Sequence, residues 1–226
     1  MIAVAQARPS DRARFIRRTY THLAGAVGAF ALVEYGLVAS GFAEGMLRAI
    51  SGSGFAWLLV LGGFSLLGWM ARTFAANSSV EVQYMGLGLY VVAEAVIFSP
   101  MIFLASLMGP DVLPTAALLT GMLFAGLTAV VGTTQKDFSF LRGILTVGGF
   151  LALGLIVASL IFGFNLGLIF AFFMVVFASG AILYDTSNVM HHYAVDQHVA
   201  ASLQLFASLA LLFWYILRIV MELSHD

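Results

Sequence analysis

The sequence has no cysteine and very few charged residues. Only 9% of its 226 residues are Asp, Glu, Lys or Arg, whereas 62% are hydrophobic. A soluble domain usually carries about 25% charged residues, so this chain has too little polar sequence to cover a surface in water. The lack of cysteine excludes disulfides, thiolate catalysis and thiolate metal sites. A net charge of −1 excludes a strongly basic nucleic-acid-binding protein.

Seven apolar runs are long enough to cross a bilayer, whose hydrocarbon core of about 30 Å needs roughly 20 helical residues. They cover residues 19–42, 55–75, 83–107, 115–133, 141–162, 166–186 and 201–221. The weakest break, at 163–167, has no charge, but a single helix from 141 to 186 would be about 69 Å long. The pattern predicts an all-α integral membrane protein, a seven-transmembrane-helix bundle.

The distribution of cations predicts how the chain is oriented. Residues 1–18 form a basic tail, and residues 19–226 form a single seven-helix domain. With a cytoplasmic N-terminus, eight of the ten cations fall on the cytoplasmic side, as the positive-inside rule requires. These eight are Arg8, Arg12, Arg14, Arg17, Arg18, Arg72, Lys136 and Arg142, against Arg48 and Arg218 on the other side. The C-terminus is then predicted to lie outside.

Ionisable residues within the spans are candidates for function, because burying a charge in a membrane costs several kcal/mol unless it is paired or hydrated. Arg72 ends the second span and Asp185 ends the sixth, so both are predicted at the cytoplasmic end. A salt bridge between them would close the bundle there and open when the carboxylate is protonated. In the alternative, Asp185 begins a hydrated loop and Arg72 extends to the interface.

Two glutamates lie deeper in the spans. Glu94 is in the middle of the third span, six residues before Pro100, which favours a polar cavity beside a helix break. The alternative is a protonated acid that is hydrogen-bonded to neighbouring backbone. Glu34 is closer to the outer interface, where we expect a structural role.

Two further groups of residues contain side chains that metal sites or proteases use. His191, His192, Asp196 and His198 combine imidazoles with a carboxylate, as zinc sites do, but their spacing matches no standard ligand motif and favours a solvated loop. Ser179-Gly180 lies inside a span, but the last span has no histidine or lysine to act as a base for an intramembrane serine protease. The sequence therefore predicts neither an enzyme nor a bound cofactor.

Several segments carry a resemblance to a known family. The end of the sixth span, Ala181-Ile182-Leu183-Tyr184-Asp185-Thr186, resembles the Bax-inhibitor family of membrane proteins. The resemblance extends over nearly the whole chain and includes Phe15–Tyr20, Glu94–Pro100 and Thr134–Leu141.

The resemblance implies a fold with one central span surrounded by six others. Members of the family are described as pH-sensitive calcium leaks, as suppressors of cell death in eukaryotes, and in bacteria as modulators of an ATP-dependent membrane protease. In the calcium leaks, two aspartates on spans six and seven share a proton, and an arginine on span two helps to close the pore. By this resemblance Asp185 matches the first aspartate and Arg72 matches the arginine, whereas Ser208 takes the place of the second aspartate.

Ser208 makes a calcium leak a less favoured prediction. A serine cannot share a proton between carboxylates, and it adds no charge for a hard cation that prefers several oxygen ligands. We therefore expect a non-enzymatic modulator of membrane-protein quality control in the bacterial inner membrane. It would act through an AAA protease, with the basic tail as the contact. The alternative is a pH-sensitive leak for calcium or another cation such as the proton, gated at Asp185 and lined by Asp185, Glu94 and Arg72.

Overall fold

The described chain is helical. A computed structural model describes residues 3–51, 62–63, 66–71, 73–74 and 79–224. A short 3-10 turn, Val4–Gln6, precedes the first α-helix. The α-helices are α1 (Pro9–Ala39), α2 (Phe42–Ser51), α3 (Val80–Met108), α4 (Val112–Thr134), α5 (Leu141–Phe162), α6 (Gly167–His191) and α7 (His198–Leu223).

The helix ends follow the local sequence. Proline stands first in α1, where its missing N–H costs nothing, and Asp11 lies in the positively polarised first turn. Gly163 ends α5 in the left-handed conformation (φ 71°), which glycine adopts without a steric penalty. Gln135 ends α4 with φ 51°, and its N–H donates to the carbonyl of Val131. Because α5 ends at Phe162 and α6 begins at Gly167, the uncharged break at 163–167 is a helix boundary.

Six described helices are long and apolar enough to cross a membrane, namely α1 and α3 to α7. They correspond to six of the seven predicted spans. The predicted span 55–75 lies mostly outside the described residues, although residues 66–71 are helical. The seventh span and the orientation of the chain therefore stay predictions.

Several helix boundaries differ from the predicted ones, most of all the beginning of α1 and the end of α6. α1 begins at Pro9 and is about 46 Å long, so residues 9–18 of the predicted tail form its first turns. α6 continues to His191, five residues past the predicted end of the sixth span. The short helix α2 was not predicted, because its ten residues are too few to span a membrane and lie between two apolar runs.

α7 lies at the centre of the described bundle. It packs against α1, α3, α4 and α6, and its buried side chains belong to each of the three hydrophobic clusters. α5 lies at the edge and packs mainly against α6. There Gly148 allows close approach, since a Cβ at that position would lie 3.0 Å from the ring of Phe177.

α3 contains an internal proline whose lost hydrogen bond is replaced locally. Pro100 has no N–H to donate to the carbonyl of Val96, four residues earlier. The hydroxyl of Ser99 donates to that carbonyl at 3.0 Å. Such side-chain donors make proline tolerable inside membrane helices, where water is absent.

The N-terminal segment is attached to the bundle. Val4 donates its N–H to the carbonyl of Tyr193 at 2.9 Å, and its side chain is fully buried among residues of α1, α6 and α7. Ala3 pairs with Ala194 in an isolated antiparallel bridge. These contacts hold the chain before α1 against the connection between α6 and α7.

Candidate functional site

Asp185 is a buried carboxylate between the last two helices. It is 3% exposed and lies six residues, or about 9 Å, before the end of α6. The hydroxyl of Ser208 in α7 donates to its Oδ2, and Nε2 of Gln204 lies 3.3 Å from the same oxygen. Gln204 and Ser208 are four residues apart in α7, so both side chains lie on the helix face that meets α6.

The alternative in which Asp185 begins a hydrated loop is wrong. Asp185, Thr186 and Ser187 are all helical and buried, because α6 continues beyond the apolar run that defined the predicted span. Arg72, the predicted partner of Asp185, lies outside the described residues.

Ser208 faces Asp185 directly, at the position where the resemblance implies a second aspartate. The pair therefore brings together one carboxylate and one hydroxyl, and it can hold a single proton on the carboxyl group but cannot share one between two acids. Within the described part of the chain, no three His, Asp or Glu side chains converge in a group that could hold a metal ion. Gln204 was missed by the sequence analysis, although its spacing of four from Ser208 in an apolar helix was a usable signal.

Further hydroxyl groups lie between α1, α4, α6 and α7. The hydroxyl of Tyr20 in α1 faces those of Thr128 in α4 and Thr186 in α6, without reaching good hydrogen-bond geometry. Ser202 in α7 donates to the carbonyl of Thr19 in α1 at 2.8 Å. Four helices thus contribute polar side chains near the predicted cytoplasmic end of the bundle, and the Ser202 hydrogen bond joins α7 to α1.

Glu94 and Glu34 lie in two other helices of the bundle. Glu94 is 5% exposed in α3, between Tyr90 and Phe98 of the same helix. Glu34 is 4% exposed in α1, and among the described residues neither of its carboxylate oxygens has a hydrogen-bond partner. Both acids are buried within helices that are long and apolar enough to cross a membrane, and their roles stay predictions.

A second polar group joins the connection between α4 and α5 to the end of α6. We call Asp137, Ser187 and His192 the latch. Oδ2 of Asp137 lies 3.1 Å from Nε2 of His192, and Ser187 donates to Oδ1 of Asp137 at 3.3 Å. Ser187 also accepts the N–H of Phe138 at 2.9 Å. The pKa of Asp137 is below its ordinary value, chiefly because the N–H of Ser139 donates to the carboxylate, with a further contribution from His192.

The histidines near the ends of α6 and α7 lie in different surroundings. His191 ends α6 and shares a hydrogen bond with the carbonyl of Ser187, whereas His198 begins α7. His22 in α1 lies with its ring centroid 5.0 Å from that of His198 and makes a 2.6 Å hydrogen bond to the hydroxyl of Tyr84. The latch was missed because Asp137 and His192 are 55 residues apart, and no local pattern connects them.

Comparison with known proteins identifies the family. The family model described as "Inhibitor of apoptosis-promoting Bax1" matches residues 12–225, which is nearly the whole chain. The chain belongs to the Bax-inhibitor family. No solved structure matches it.

Relatives in this family carry different descriptions. The chain is 39% identical over 114 residues to protein PA2604 of Pseudomonas aeruginosa, covering 49% of this chain and 50% of that one. It is 34% identical over 125 residues to "Modulator of FtsH protease YccA" of Escherichia coli, covering 55% and 56%. It is 29% identical over 175 residues to "Bax inhibitor 1" of Schizosaccharomyces pombe, covering 75% and 64%. The chain spans about half the length of the bacterial relatives it matches. Membership in the family and six apolar helices make this a multi-pass membrane protein.

Proposed function

We propose that this protein is a non-enzymatic modulator of an ATP-dependent protease in the bacterial inner membrane. The observation that carries the proposal is the single carboxylate at the Asp185–Ser208 pair. With a hydroxyl in place of a second acid, the pair lacks the charge that a calcium site requires. The relative named as a modulator of FtsH protease supports the same function.

The beginning of α1 is suited to contact a cytoplasmic partner. Arg8, Arg14, Arg17 and Arg18 are exposed, and the last three project from a continuous helix. Because the segment before α1 is held against Tyr193 and Ala194, these cations have a fixed position relative to the bundle. A fixed basic surface can select an acidic partner by charge complementarity and raise its rate of association.

The test compares substitutions that remove charge without altering a helix contact. We expect the double variant Arg14→Gln/Arg17→Gln to lose co-purification with the membrane protease and to lose its effect on the turnover of the protease's substrates. Arg142→Gln is the matched control, since this exposed cation begins a different helix on the same predicted side. If deletion of the protein leaves substrate turnover unchanged and no protease co-purifies, the proposal is wrong.

A second candidate function is a pH-sensitive cation leak. It is favoured by the burial of three carboxyl groups, Glu34, Glu94 and Asp185, inside helices of a membrane protein. In this mechanism Asp185 alone would change its protonation and its hydrogen bonds to α7.

Calcium flux into liposomes distinguishes the two candidates. A flux that differs between mildly acidic and mildly alkaline pH, and is lost in Asp185→Asn, would establish a leak with a single aspartate. If the native protein is silent and flux emerges only in Ser208→Asp, the fold is retained without the sensor, which leaves the modulator function.

A further inference from the structure

A groove opens at the end of the bundle opposite to Asp185's end of α6. It lies between α2, α3 and α7 and has a volume of about 500 Å³, within the range of small-molecule pockets. Its walls are largely apolar and include Leu47 of α2, Leu104 of α3 and Trp214 of α7. Three methionines, Met101, Met108 and Met221, add flexible surface that adapts to an irregular chain.

The helices around the groove contact one another locally. Ser99 restores the hydrogen bond that Pro100 removes, and its hydroxyl also contacts the sulfur of Met46 in α2 at 3.9 Å. α2 is thereby attached to α3 beside the groove. Its Arg48 and Glu44 form an ion pair on the exposed side, away from the buried Ala43 and Ile50. Such an amphipathic helix is suited to the membrane interface.

Two opposite charges border this apolar volume. Arg218 and Glu222 both line the groove and are four residues apart in α7. Among the described residues, the ion pairs are Arg48 with Glu44 and His192 with Asp137, so Arg218 and Glu222 do not pair with each other. Arg218 lies five residues, or about 8 Å, before the end of α7. It is thus near the end of the predicted seventh span, from where an arginine side chain can extend to the lipid head groups.

We propose that this groove binds one phospholipid with a zwitterionic, primary-ammonium head group, as in phosphatidylethanolamine. An acyl chain lies along the apolar walls, the phosphate binds the guanidinium of Arg218, and the ammonium donates to the carboxylate of Glu222. Each charge of the head group then faces an opposite charge of the protein. The arrangement distinguishes this head group from phosphatidylglycerol, which has no cation for Glu222, and from phosphatidylcholine, whose quaternary ammonium has no N–H to donate.

Native mass spectrometry of the purified full chain tests this inference. The protein is equilibrated in mild detergent with phosphatidylethanolamine, phosphatidylglycerol or phosphatidylcholine in turn, and the retained lipid is counted. We expect one retained phosphatidylethanolamine and weaker retention of the other two lipids. Arg218→Gln should lower retention of all three by about tenfold, because it removes a charge-assisted hydrogen bond. Glu222→Gln should remove the preference for phosphatidylethanolamine over phosphatidylglycerol.

Matched controls separate the groove from the general lipid surface. Arg48→Gln removes an exposed cation outside the groove, and it should retain lipid as the native protein does. Leu104→Trp should block the groove, whereas Leu118→Trp on the exposed face of α4 should not. Equal retention in all variants, or equal retention of the three lipids by the native protein, would overturn the inference. Glu222 is exposed, so its substitution remains informative even if Arg218→Gln does not fold.

Discussion

At the scale of single residues, Asp185 shows how one carboxyl group is accommodated inside an apolar bundle. Burying an acid costs free energy unless hydrogen-bond donors contact it. Here α7 supplies two donors, Ser208 and Gln204, at positions one helical turn apart. A serine at the place of a second aspartate thus keeps the contact between α6 and α7 while removing one acid.

This contact predicts a loss of stability when the hydroxyl is removed. We expect Ser208→Ala to lower the free energy of unfolding by about 1–3 kcal/mol, because the buried Oδ2 of Asp185 loses a donor. The measurement is equilibrium unfolding in mixed detergent micelles. Ser179→Ala is the control, since its half-buried hydroxyl donates within α6 to the carbonyl of Val175. If the two substitutions lower the free energy of unfolding equally, the Ser208–Asp185 contact stabilises the fold no more than a hydrogen bond within one helix does.

At the scale of helices and their connections, the latch determines where the chain between α4 and α5 lies. Asp137 accepts from the N–H of Ser139 and from Ser187, and it pairs with His192 of the segment that follows α6. One carboxylate therefore orders its own connection and attaches it to another helix. Asp137 and Ser139 belong to the segment Thr134–Leu141, which carries part of the family resemblance.

The lowered pKa of Asp137 predicts how the latch depends on pH. Because the folded pKa lies below the unfolded one, the carboxylate's contribution to stability is present above the ordinary carboxyl pKa and is lost as the pH falls through the folded value. We expect the amides of Phe138 and Ser139 to exchange hydrogen faster at such acidic pH, after correction for the intrinsic rate. Asp137→Asn should produce the same increase at neutral pH.

Asp196→Asn is the control for the latch, because this carboxylate is exposed and lies outside it. If Asp137→Asn leaves the exchange of these amides at the native rate, the latch does not order the connection.

At the scale of the whole molecule, the bundle is built around α7, and α5 is left largely exposed to lipid. In the apolar segment of α7, 50% of the residues are buried, against 6% in that of α5. The two helices therefore have different positions in the bundle, although both are apolar. Mean hydropathy does not rank the helices by burial, because α5 is the most apolar of the six and α1 the least, yet both are much less buried than α7.

The number of spans predicts the side on which the chain ends. Seven spans with a cytoplasmic N-terminus place residues after α7 outside, whereas the six described spans alone would return them to the cytoplasm. We expect a phosphatase fused after Leu223 to be active and a fluorescent protein at the same site to be dark. A reporter inserted at Gln135, on the predicted cytoplasmic side, provides the opposite control. A fluorescent C-terminal fusion would contradict the seven-span prediction.

Much of the fold was predictable because membrane insertion is a local property of the sequence. The predicted run 141–162 coincides with α5, and the weak break at 163–167 was placed by helix length alone. The predicted beginning of α1 and the predicted end of α6 were wrong. Both helices continue into polar sequence, which a hydropathy criterion does not count.

The protein class, the six described spans and the buried acids could all be inferred from the amino-acid sequence, since each depends on the transfer of a short segment into an apolar solvent. The packing of the helices was needed to show which helix is central, that Gln204 and Ser208 face Asp185, and that His192 contacts Asp137. These contacts join residues 19 to 55 positions apart, and their geometry depends on how helices pack against one another. In a bilayer that packing rests on shape and a few polar contacts, for which hydropathy carries no signal.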